Sequence, residues 1–348
     1  MKNAQKTVFV GLSGGVDSSV SAALLVEQGY KVVGAYMKNW TQDIAGNPCP
    51  WEDDLRSAKS VAAHLGIELK IFDLQHQYRA QVVDAMVQAY AAGLTPNPDV
   101  LCNEEIKFSL FYNLCRDEGA DFVATGHYAR IVDGRLMQAV DSKKDQTYFL
   151  YRMPVASAQH VLFPLGEYEK PQVRELARER NLPTATRQES MGLCFVGKIP
   201  LKDFLGEFME LTPGPIVNES GQEIGQHDGA ALYTVGQRHG LGVGGGTPYY
   251  VLSKDLKTNI VMVTTNPNQL RCDHYNIGDT TWWQQPIAEG IYRVRIRHLG
   301  ELLECKLELQ ADGVWCIQLV HGTHRGVAAG QHAVVYNGDS VLGGGVIQ

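Results

Sequence analysis

The chain has 348 residues, enough for two or three domains that each bury a core. Its 44% hydrophobic and 20% charged residues are ordinary for a globular protein. Because 31 Lys and Arg residues face 38 Asp and Glu residues, the net charge is −7, and any nucleic-acid surface must be a local patch.

A strand and a glycine turn come first. Residues 7–11 are mostly apolar and β-prone, which predicts a buried strand, and the turn Ser13-Gly14-Gly15 follows it. After Asp17, apolar residues recur at helical spacing until Gly29. A strand, a glycine turn and a helix N-terminus form an anion site, because free N–H groups and the positive end of the helix dipole face the ligand. The sequence therefore predicts a phosphate-binding loop.

The letters of this loop indicate its class. It lacks the lysine of G-x-x-x-x-G-K-[ST] and the spaced glycines of dinucleotide-binding loops. The string SGGVDSS at 13–19 instead resembles the pyrophosphate loop of the N-type ATP pyrophosphatases, which cleave ATP between its α and β phosphates. The alternative is a hydroxyl-rich N-cap on an ordinary strand-to-helix turn.

Strand and helix patterns alternate up to about residue 200. The spacing predicts strands over 31–37, 68–72 and 122–125, and helices over 52–65, 77–91 and 106–118. Strands separated by helices indicate an α/β fold with a doubly wound parallel sheet. Ligands of such sheets bind outside the carboxyl ends of the strands. Three loops lie there: those after Gly11 and Met37, and Gly126-His127-Tyr128.

The composition changes beyond about residue 205. Frequent Gly and Pro predict a small connecting domain over 206–270, after a catalytic domain over 1–205. Short alternating segments at 292–297, 302–309, 314–320 and 332–336 indicate a small β-barrel or sandwich, and we predict a C-terminal β-barrel over 271–348.

One segment of this barrel alternates arginine with apolar residues. Arg293, Arg295 and Arg297 alternate with Val294 and Ile296, so a strand here would place the arginines on one face. Such a stripe would suit an RNA backbone, which we state as a hypothesis. The alternative is a solvated strand face paired with Glu301 or Glu304.

Hydropathy and cysteine usage predict the compartment. No apolar run reaches the roughly 18 residues that span a membrane, and the N-terminal run is too short for a signal peptide. We therefore expect a cytoplasmic protein with no membrane partner. The seven cysteines include no C-x-x-C pair, so we expect no zinc site and no metal held by protein ligands alone.

Two cysteines lie in segments that suit chemistry. In Asn97-Pro98-Asp99-Val100-Leu101-Cys102-Asn103, a carboxylate and a thiol lie three residues apart at a predicted helix start, which suits a base and a nucleophile. The alternative makes Asp99 an N-cap and Cys102 a packing residue. Cys194 lies between Gly192 and Gly197, where a buried structural cysteine is the alternative. Two such thiols beside an ATP-cleaving loop suggest sulfur transfer through a persulfide.

Six motifs in order make the resemblance specific. Together they resemble the bacterial tRNA-specific 2-thiouridylase family of the N-type ATP pyrophosphatase superfamily, which thiolates uridine 34 of tRNA. The motifs are SGGVDSS at 13–19, NPDVLCN at 97–103, TGHYAR at 125–130, KDQTYFLY at 144–151, GLCFVG at 192–197 and YTVGQRHGLGVGGG at 233–246.

The resemblance implies roles for individual residues. ATP would be bound by Gly11, Leu12, Ser13, Gly14, Gly15, Val16, Asp17, Ser18, Met37 and Gly126. The target base would contact Asn97, Pro98 and Asp99, with Asp99 as a catalytic acid–base group, Cys102 as the nucleophile and Cys194 as the persulfide carrier. The tRNA would contact His127, Lys144, Asp145, Gln146, Arg297, His298 and Gln331. The family often has Arg-Tyr-Arg where this chain has Arg297-His298-Leu299, so the contact at His298 stays open.

The resemblance also implies the co-substrates and partners. These are ATP with Mg²⁺, the tRNAs for Lys, Glu and Gln, and a persulfide carrier protein or cysteine desulfurase. The base would be adenylated before sulfur replaces its oxygen. One alternative function is a pyrophosphate-loop enzyme that amidates or ligates a small molecule, which has no need of two cysteines or a barrel. Another is a non-catalytic RNA-binding protein, which has no need of Asp99.

Overall fold

A computed structural model describes residues 6–188, 199–244, 246–287 and 289–348. Within these residues the chain forms two compact units. The first includes the described residues of 1–83, 98–199 and 339–341, and the second those of 84–97, 200–338 and 342–348. In the described part of the chain, no helix is both long and apolar enough to cross a bilayer.

The described helices are mostly short. They are α1 (Val16–Glu27), α2 (Trp51–Leu65), α3 (Gln75–Tyr78), α4 (Asp84–Ala91), α5 (Pro98–Leu101), α6 (Tyr112–Asp117), α7 (Thr147–Leu150), α8 (Lys170–Glu179) and α9 (Leu201–Gly206). Two segments with π-helical hydrogen bonding, Arg79–Val83 and Cys102–Phe111, follow α3 and α5. Short 3₁₀ turns span Val155–His160, Ala230–Leu232 and Pro267–Leu270.

The described strands fall into parallel and antiparallel groups. The first seven are β1 (Thr7–Gly11), β2 (Lys31–Lys38), β3 (Glu68–Asp73), β4 (Phe122–Ala124), β5 (Arg130–Val132), β6 (Arg135–Met137) and β7 (Val161–Leu162). The next six are β8 (Gly214–Val217), β9 (Glu223–His227), β10 (Tyr250–Asp255), β11 (Ile260–Thr264), β12 (Arg271–Cys272) and β13 (His274–Trp282). The last six are β14 (Tyr292–Arg295), β15 (Leu303–Leu309), β16 (Trp315–Leu319), β17 (His324–Arg325), β18 (His332–Asn337) and β19 (Ser340–Ile347).

A five-stranded parallel sheet forms the centre of the first unit. Its order is β3-β2-β1-β4-β7, and every adjacent pair runs parallel. Helix α1 contributes to clusters with different partners: Ala22 and Leu25 pack with Val8 of β1, whereas Val20 and Leu24 pack against residues of α8. This confirms the predicted doubly wound parallel sheet and places the β1–α1 turn at its carboxyl end.

The predicted elements of this unit match those observed to within a few residues, with one exception. The helix predicted over 106–118 begins earlier, because the helical run starts at Pro98 and continues through Cys102–Phe111 to Asp117. Proline fits the first turn of a helix, where its missing N–H is not needed. Asp99 therefore lies inside the first turn and is not the N-cap.

The second unit is built mainly from antiparallel strands. One sheet has the order β10-β11-β8-β9, with β11 and β8 parallel. Strands β13, β16, β15, β14, β18 and β19 form a barrel, closed by antiparallel pairing of β13 with β19. Its core includes Ile277, Val294, Cys305, Ile317 and Val335. The predicted C-terminal barrel is confirmed, while the sequence-based boundaries at 205 and 270 stay a prediction.

The hypothesis of an exposed arginine stripe on the barrel is wrong in its geometry. Val294 and Ile296 are buried in the barrel core as expected, but Arg295 is only 5% exposed. Its guanidinium lies 5.0 Å from the ring centroid of Tyr336. Strand β14 ends at Arg295, so Arg297 lies beyond the strand and does not continue its alternation.

Candidate nucleotide and thiol site

The phosphate loop, Gly11–Ser18, connects β1 to α1. The Ser18 hydroxyl accepts a hydrogen bond from the Ser13 N–H at 3.2 Å and donates to the Gly15 carbonyl at 3.1 Å. The Ser19 hydroxyl donates to the same carbonyl at 2.7 Å. These bonds fold the turn onto the first turn of α1. Because the first N–H groups of a helix have no intrahelical partner, the turn is suited to hold an anion.

Three strand ends bring the predicted nucleotide residues together. A Cβ atom on Gly126 would lie 2.8 Å from the backbone nitrogen of Ser18, so the loop after β4 approaches α1 as closely as glycine allows. The Cε methyl of Met37 lies 3.4 Å from the place of a Cβ atom on Gly11. Gly11, Met37 and Gly126 therefore surround one end of the sheet, as the sequence predicted.

The carboxylate of Asp17 is held by two side chains to which sequence reasoning gave no role. Nζ of Lys170 lies 2.7 Å from Oδ1 and 2.8 Å from Oδ2, and the Tyr128 hydroxyl donates to Oδ1 at 3.0 Å. Lys170 begins α8 and is 9% exposed, and Tyr128 is 2% exposed. The negative charge of the phosphate loop is therefore neutralised by a lysine from a helix distant in sequence.

Gln146, in the motif at 144–151, holds the backbone of Tyr128 in place. The Tyr128 N–H donates to Oε1 of Gln146 at 2.9 Å, and the Gln146 N–H donates to the Tyr128 carbonyl at 2.9 Å. Asp145 is fully buried and accepts hydrogen bonds from the Ala139 N–H at 2.8 Å and the Thr147 hydroxyl at 2.6 Å. The third predicted tRNA contact of this motif, Lys144, is half-buried.

The predicted nucleophile lies one turn inside the helical run. Asp99 is half-buried in α5, and Cys102 is fully buried at the start of the π-helical segment Cys102–Phe111, which we call the thiol segment. Residues three apart on a helix share a face, so the carboxylate and the thiol belong to the same side of the run. π-Helical turns are rare and frequent at functional sites.

A polar network connects the thiol segment to the loop after β4. Nζ of Lys107 donates to Oδ1 of Asn103 at 2.9 Å and lies 3.4 Å from Nε2 of His127. Nδ1 of His127 lies 2.7 Å from the Thr125 hydroxyl. Burial, and secondly the charge of Lys107, hold the pKa of His127 well below its ordinary value. His127 is therefore neutral, and its Nε2 accepts from the Lys107 ammonium while Nδ1 carries the proton.

The thiol segment is also fixed to the chain near α7. Nδ2 of Asn103 donates to the Phe149 carbonyl at 3.0 Å, and Nε of Arg152 lies 2.5 Å from Oε2 of Glu104. Both members of this ion pair are largely buried, with side chains 11% and 18% exposed. The motif at 144–151 thus supports the phosphate loop through Gln146 and the thiol segment through Phe149.

The remaining predicted tRNA contacts belong to the second unit. Nε2 of Gln331 donates to the Thr95 carbonyl at 2.8 Å, and Asn97 lies in the same unit, two residues beyond Thr95. Nη2 of Arg297 donates to the Gly326 carbonyl at 2.8 Å, and His298 is half-buried.

Arginines converge on one cavity of about 260 Å³ in the second unit. Arg271, Arg297 and Arg325 line it together with Glu301, and all four are exposed. Arg271 and Arg325 are direct cross-strand neighbours in the pairing of β12 with β17. We call this group of side chains the barrel cavity. Of the arginine stripe that the sequence predicts, Arg297 lines this cavity.

One predicted catalytic residue cannot be placed. Cys194 lies outside the described residues, as does the whole motif at 192–197. In the ranges that the structure describes, no group of three or more His, Cys, Asp or Glu side chains is arranged to hold a metal ion.

Family models match nearly the whole length. Residues 6–198 match a model described as tRNA methyl transferase HUP domain, 202–265 one described as tRNA methyl transferase PRC-barrel domain, and 272–347 one described as aminomethyltransferase beta-barrel domain. A tRNA-specific 2-thiouridylase of Methylobacillus flagellatus is 40% identical over 356 residues, covering 99% of both chains. The chain belongs to the tRNA-specific 2-thiouridylase family. This confirms the resemblance that the six motifs indicated.

Other members of the family match as completely. The tRNA-specific 2-thiouridylase of Neisseria meningitidis is 43% identical and covers 98% of this chain and 95% of its own. That of Escherichia coli is 42% identical and covers 100% of this chain and 98% of its own. The resemblance therefore extends over the sheet, the middle domain and the barrel alike.

Proposed function

We propose that the chain is an ATP-dependent tRNA-uridine 2-sulfurtransferase, which replaces the C2 oxygen of uridine 34 by sulfur. Its membership of the tRNA-specific 2-thiouridylase family supports the substrate and the reaction. The observation that carries the proposal lies in the first unit. There the loop after β4 contacts the phosphate loop through Gly126 and the thiol segment through His127 and Lys107.

The ATP half of the reaction would use the phosphate loop. We infer that ATP phosphates bind the backbone of 11–18, with adenosine near Met37 and Gly126. The uracil O2 attacks the α-phosphorus, the bond to pyrophosphate breaks, and Asp99 accepts the N3 proton. Adenylation is needed because a carbonyl oxygen is a poor leaving group, whereas AMP departs readily. The base must leave the anticodon-loop stack to reach this site.

The sulfur half would use two thiols. The terminal sulfur of a Cys194 persulfide attacks C2, and AMP leaves. The Cys102 thiolate then attacks Sγ of Cys194, which releases the thiocarbonyl and forms a Cys102–Cys194 disulfide. A thiol reductant must reduce that disulfide before the next turnover. Asn97 and Pro98 would contact the base.

Magnesium would enter with the nucleotide. Asp17 is the one carboxylate in the sequence of the phosphate loop, and Lys170 contacts both of its oxygens. This arrangement fits Mg²⁺ held mainly by ATP phosphates, as is usual for this ion. When bound, Mg²⁺ neutralises charge that develops on the departing pyrophosphate.

The partners follow from the same chemistry. We infer that the substrates are the tRNAs for Lys, Glu and Gln, that a persulfide carrier protein or cysteine desulfurase supplies the sulfur, and that the reaction occurs in the cytoplasm. Asp145, Gln146 and His127 also bond within the protein, so we infer that they shape the tRNA site of the first unit as well as contact the tRNA.

The barrel cavity is the proposed phosphate-binding surface of the second unit. Its guanidinium groups are held at defined positions: Nη1 of Arg271 lies 3.1 Å from the Thr323 hydroxyl, and the guanidinium of Arg325 lies 4.2 Å from the Tyr250 ring centroid. Arginine binds phosphate with two parallel N–H donors, so guanidinium groups held in this way favour an RNA backbone.

Mass spectrometry of tRNA tests the proposal directly. Purified protein is incubated with ATP, Mg²⁺, a persulfide donor and unmodified tRNA for Lys, and digested nucleosides are analysed. We expect uridine 34 to gain the mass difference between sulfur and oxygen. A tRNA with cytidine at position 34 is the matched control.

Two outcomes separate the alternative functions. Pyrophosphate release that needs ammonia or a small acid, and not tRNA, would favour an amidating or ligating enzyme. Binding of tRNA without tRNA-stimulated pyrophosphate release would favour a non-catalytic RNA-binding protein. Either result contradicts the sulfurtransferase.

A further inference from the structure

Arg187 lies outside all six motifs, yet its guanidinium contacts the phosphate loop. Nη1 donates to the Gly14 carbonyl at 2.7 Å, and Nη2 lies 2.5 Å from Oδ1 of Asp54 in the first turn of α2. The two side chains are 28% and 27% exposed. Burial raises the pKa of the Asp54 carboxyl, and the guanidinium opposes that effect. The ion pair of Arg187 with Asp54 is therefore partly shielded from water and lies beside the glycine turn of the loop.

The contact orients the peptide between Gly14 and Gly15. A trans peptide is planar, and its C=O and N–H point in opposite directions. Because Arg187 holds the Gly14 oxygen on one side, the Gly15 N–H must point to the other. There it makes a long contact of 3.4 Å with the Ser13 hydroxyl. A phosphate oxygen in that place would accept a stronger, charge-assisted bond.

The backbone at Gly14 needs an external contact of this kind. Its φ is +77°, in the left-handed region, and a Cβ atom there would collide with the backbone oxygen of Asp54. Glycine is thus required, but glycine also has the greatest conformational freedom of any residue. The hydrogen bond from Arg187 reduces that freedom at the peptide whose direction matters for an anion.

The backbone position of Arg187 is fixed in turn. Nη1 of Arg174 donates to the Arg187 carbonyl at 2.7 Å, and the Arg187 N–H donates to the Thr184 carbonyl at 2.9 Å. Arg174 lies on α8, whose first residue, Lys170, neutralises Asp17. One helix therefore supports the phosphate loop at two points, its carboxylate and its glycine turn.

We propose that Arg187 is a positioning residue of the phosphate loop, which aims the Gly15 N–H at a phosphate of ATP by holding the Gly14 carbonyl. The inference rests on the proposed function in that it takes ATP as the ligand. Arg187 acts through the backbone of the loop. Its removal should therefore weaken the binding of each ligand according to how far that ligand uses phosphate groups to bind the loop. A ligand without phosphate should be unaffected.

Ligand binding to Arg187→Met tests this directly. Affinities of the full chain for α,β-methylene-ATP, pyrophosphate and adenosine are measured by calorimetry or competition. We expect about ten- to a hundredfold weaker binding of the first two, the range for one hydrogen bond to a charged group. Adenosine affinity should stay within about twofold, because Arg187 contacts the glycine turn and not the side of the loop proposed for adenosine.

Two further variants control the result. Arg180→Met removes an arginine close to Arg187 in the sequence. Arg180 donates to both carboxylate oxygens of Glu27, at the C-terminal end of α1, at 2.7 and 2.8 Å. This variant should bind all three ligands normally. Arg187→Lys keeps the charge but not the two-pronged donor, and should give an intermediate loss.

Each outcome decides the inference. Unchanged affinity of folded Arg187→Met or Arg187→Lys for the phosphate ligands overturns it. Equal loss of adenosine binding in Arg187→Met also overturns it, because that result indicates general damage. Failure of the unsubstituted protein to bind α,β-methylene-ATP would instead contradict the proposed function itself.

Discussion

The ammonium of Lys170 lies within 2.8 Å of both carboxylate oxygens of Asp17. A carboxylate in a loop that binds a triphosphate would repel its ligand if it were alone. The ion pair is largely buried, with side chains 11% and 33% exposed, so water screens it little. Lys170 therefore cancels, from α8, the negative charge that Asp17 would otherwise present to a bound phosphate.

Replacement of Lys170 by Met should raise the KM for ATP without changing the KM for tRNA. An uncompensated charge about 8 Å from a phosphate, at an effective dielectric of about 20, costs about 2 kcal/mol, or about thirtyfold. The double variant Lys170→Met/Asp17→Asn should recover most of this loss, because the buried charge is gone. Pyrophosphate release with tRNA present measures both constants. A double variant as defective as the single one would show that Lys170 acts on ATP directly.

The local sequence pattern was sufficient to predict the strand, turn and helix of the phosphate loop. No local pattern indicated that Lys170 contacts this loop. The strand, the turn and the helix lie within 7–27, so their order alone indicates an anion site. The pair Asp17–Lys170 joins residues 153 positions apart and exists only after α8 packs on α1. Sequence periodicity carries no information about such a contact.

In the barrel, a local sequence pattern was present but placed one side chain wrongly. Alternation over 292–297 gave the burial of Val294 and Ile296 correctly, because period two is a property of the backbone. It did not predict the burial of Arg295, whose guanidinium packs on Tyr336 of the neighbouring strand β18. A long side chain can bury its stem and head against an aromatic ring whichever face its strand position suggests.

Asp99→Asn should lose activity while it keeps ATP affinity. Asn preserves the shape but cannot accept the N3 proton of uridine, and a positioned base contributes on the order of 10²–10⁴-fold. Single-turnover thiolation and binding of α,β-methylene-ATP measure the two effects separately. Thiolation within about threefold of the unsubstituted protein would indicate that the carboxylate serves only the helix.

Cys194→Ser should still adenylate tRNA but transfer no sulfur. The phosphate loop and the base contacts suffice for adenylation, whereas sulfur delivery needs a thiol. Cys102→Ser should also fail in turnover, yet accumulate labelled sulfur on Cys194. Pyrophosphate release and mass spectrometry of the labelled protein report the two steps. Label that never appears on Cys194 in Cys102→Ser would contradict this division of roles.

His127 should make the first unit less stable as the pH falls. Its folded pKa is depressed, chiefly by burial, so below the unfolded value near 6.5 the unfolded chain binds a proton that the folded chain does not. Stability is therefore present above that pH and lost below it, by up to about 1.4 kcal/mol per pH unit. Hydrogen exchange of β1 and β4 amides between pH 5 and 7 measures the slope. His127→Asn should flatten it, and an unchanged slope would mean that His127 is protonated in the fold.

The barrel cavity should determine how binding of tRNA depends on salt. Arg271 and Arg325 are exposed, adjacent across β12 and β17, and held by Thr323 and Tyr250. If each contacts one phosphate, replacement of both by Gln removes two contacts. The slope of log K against log salt should then fall by about 1.4–1.8, at roughly 0.7–0.9 per contact.

A control variant that loses the same charge at other positions distinguishes a local phosphate contact from an effect of the net charge. Arg56→Gln/Arg178→Gln also removes two exposed arginines, each paired with an acidic residue three positions earlier on its own helix. We expect this control to keep the full salt slope, because beyond a Debye length of about 8 Å exposed charges are largely screened. ATP binding should be normal in both double variants. Equal slopes for the two would place the RNA on another path over the protein, because net charge alone would then explain the loss.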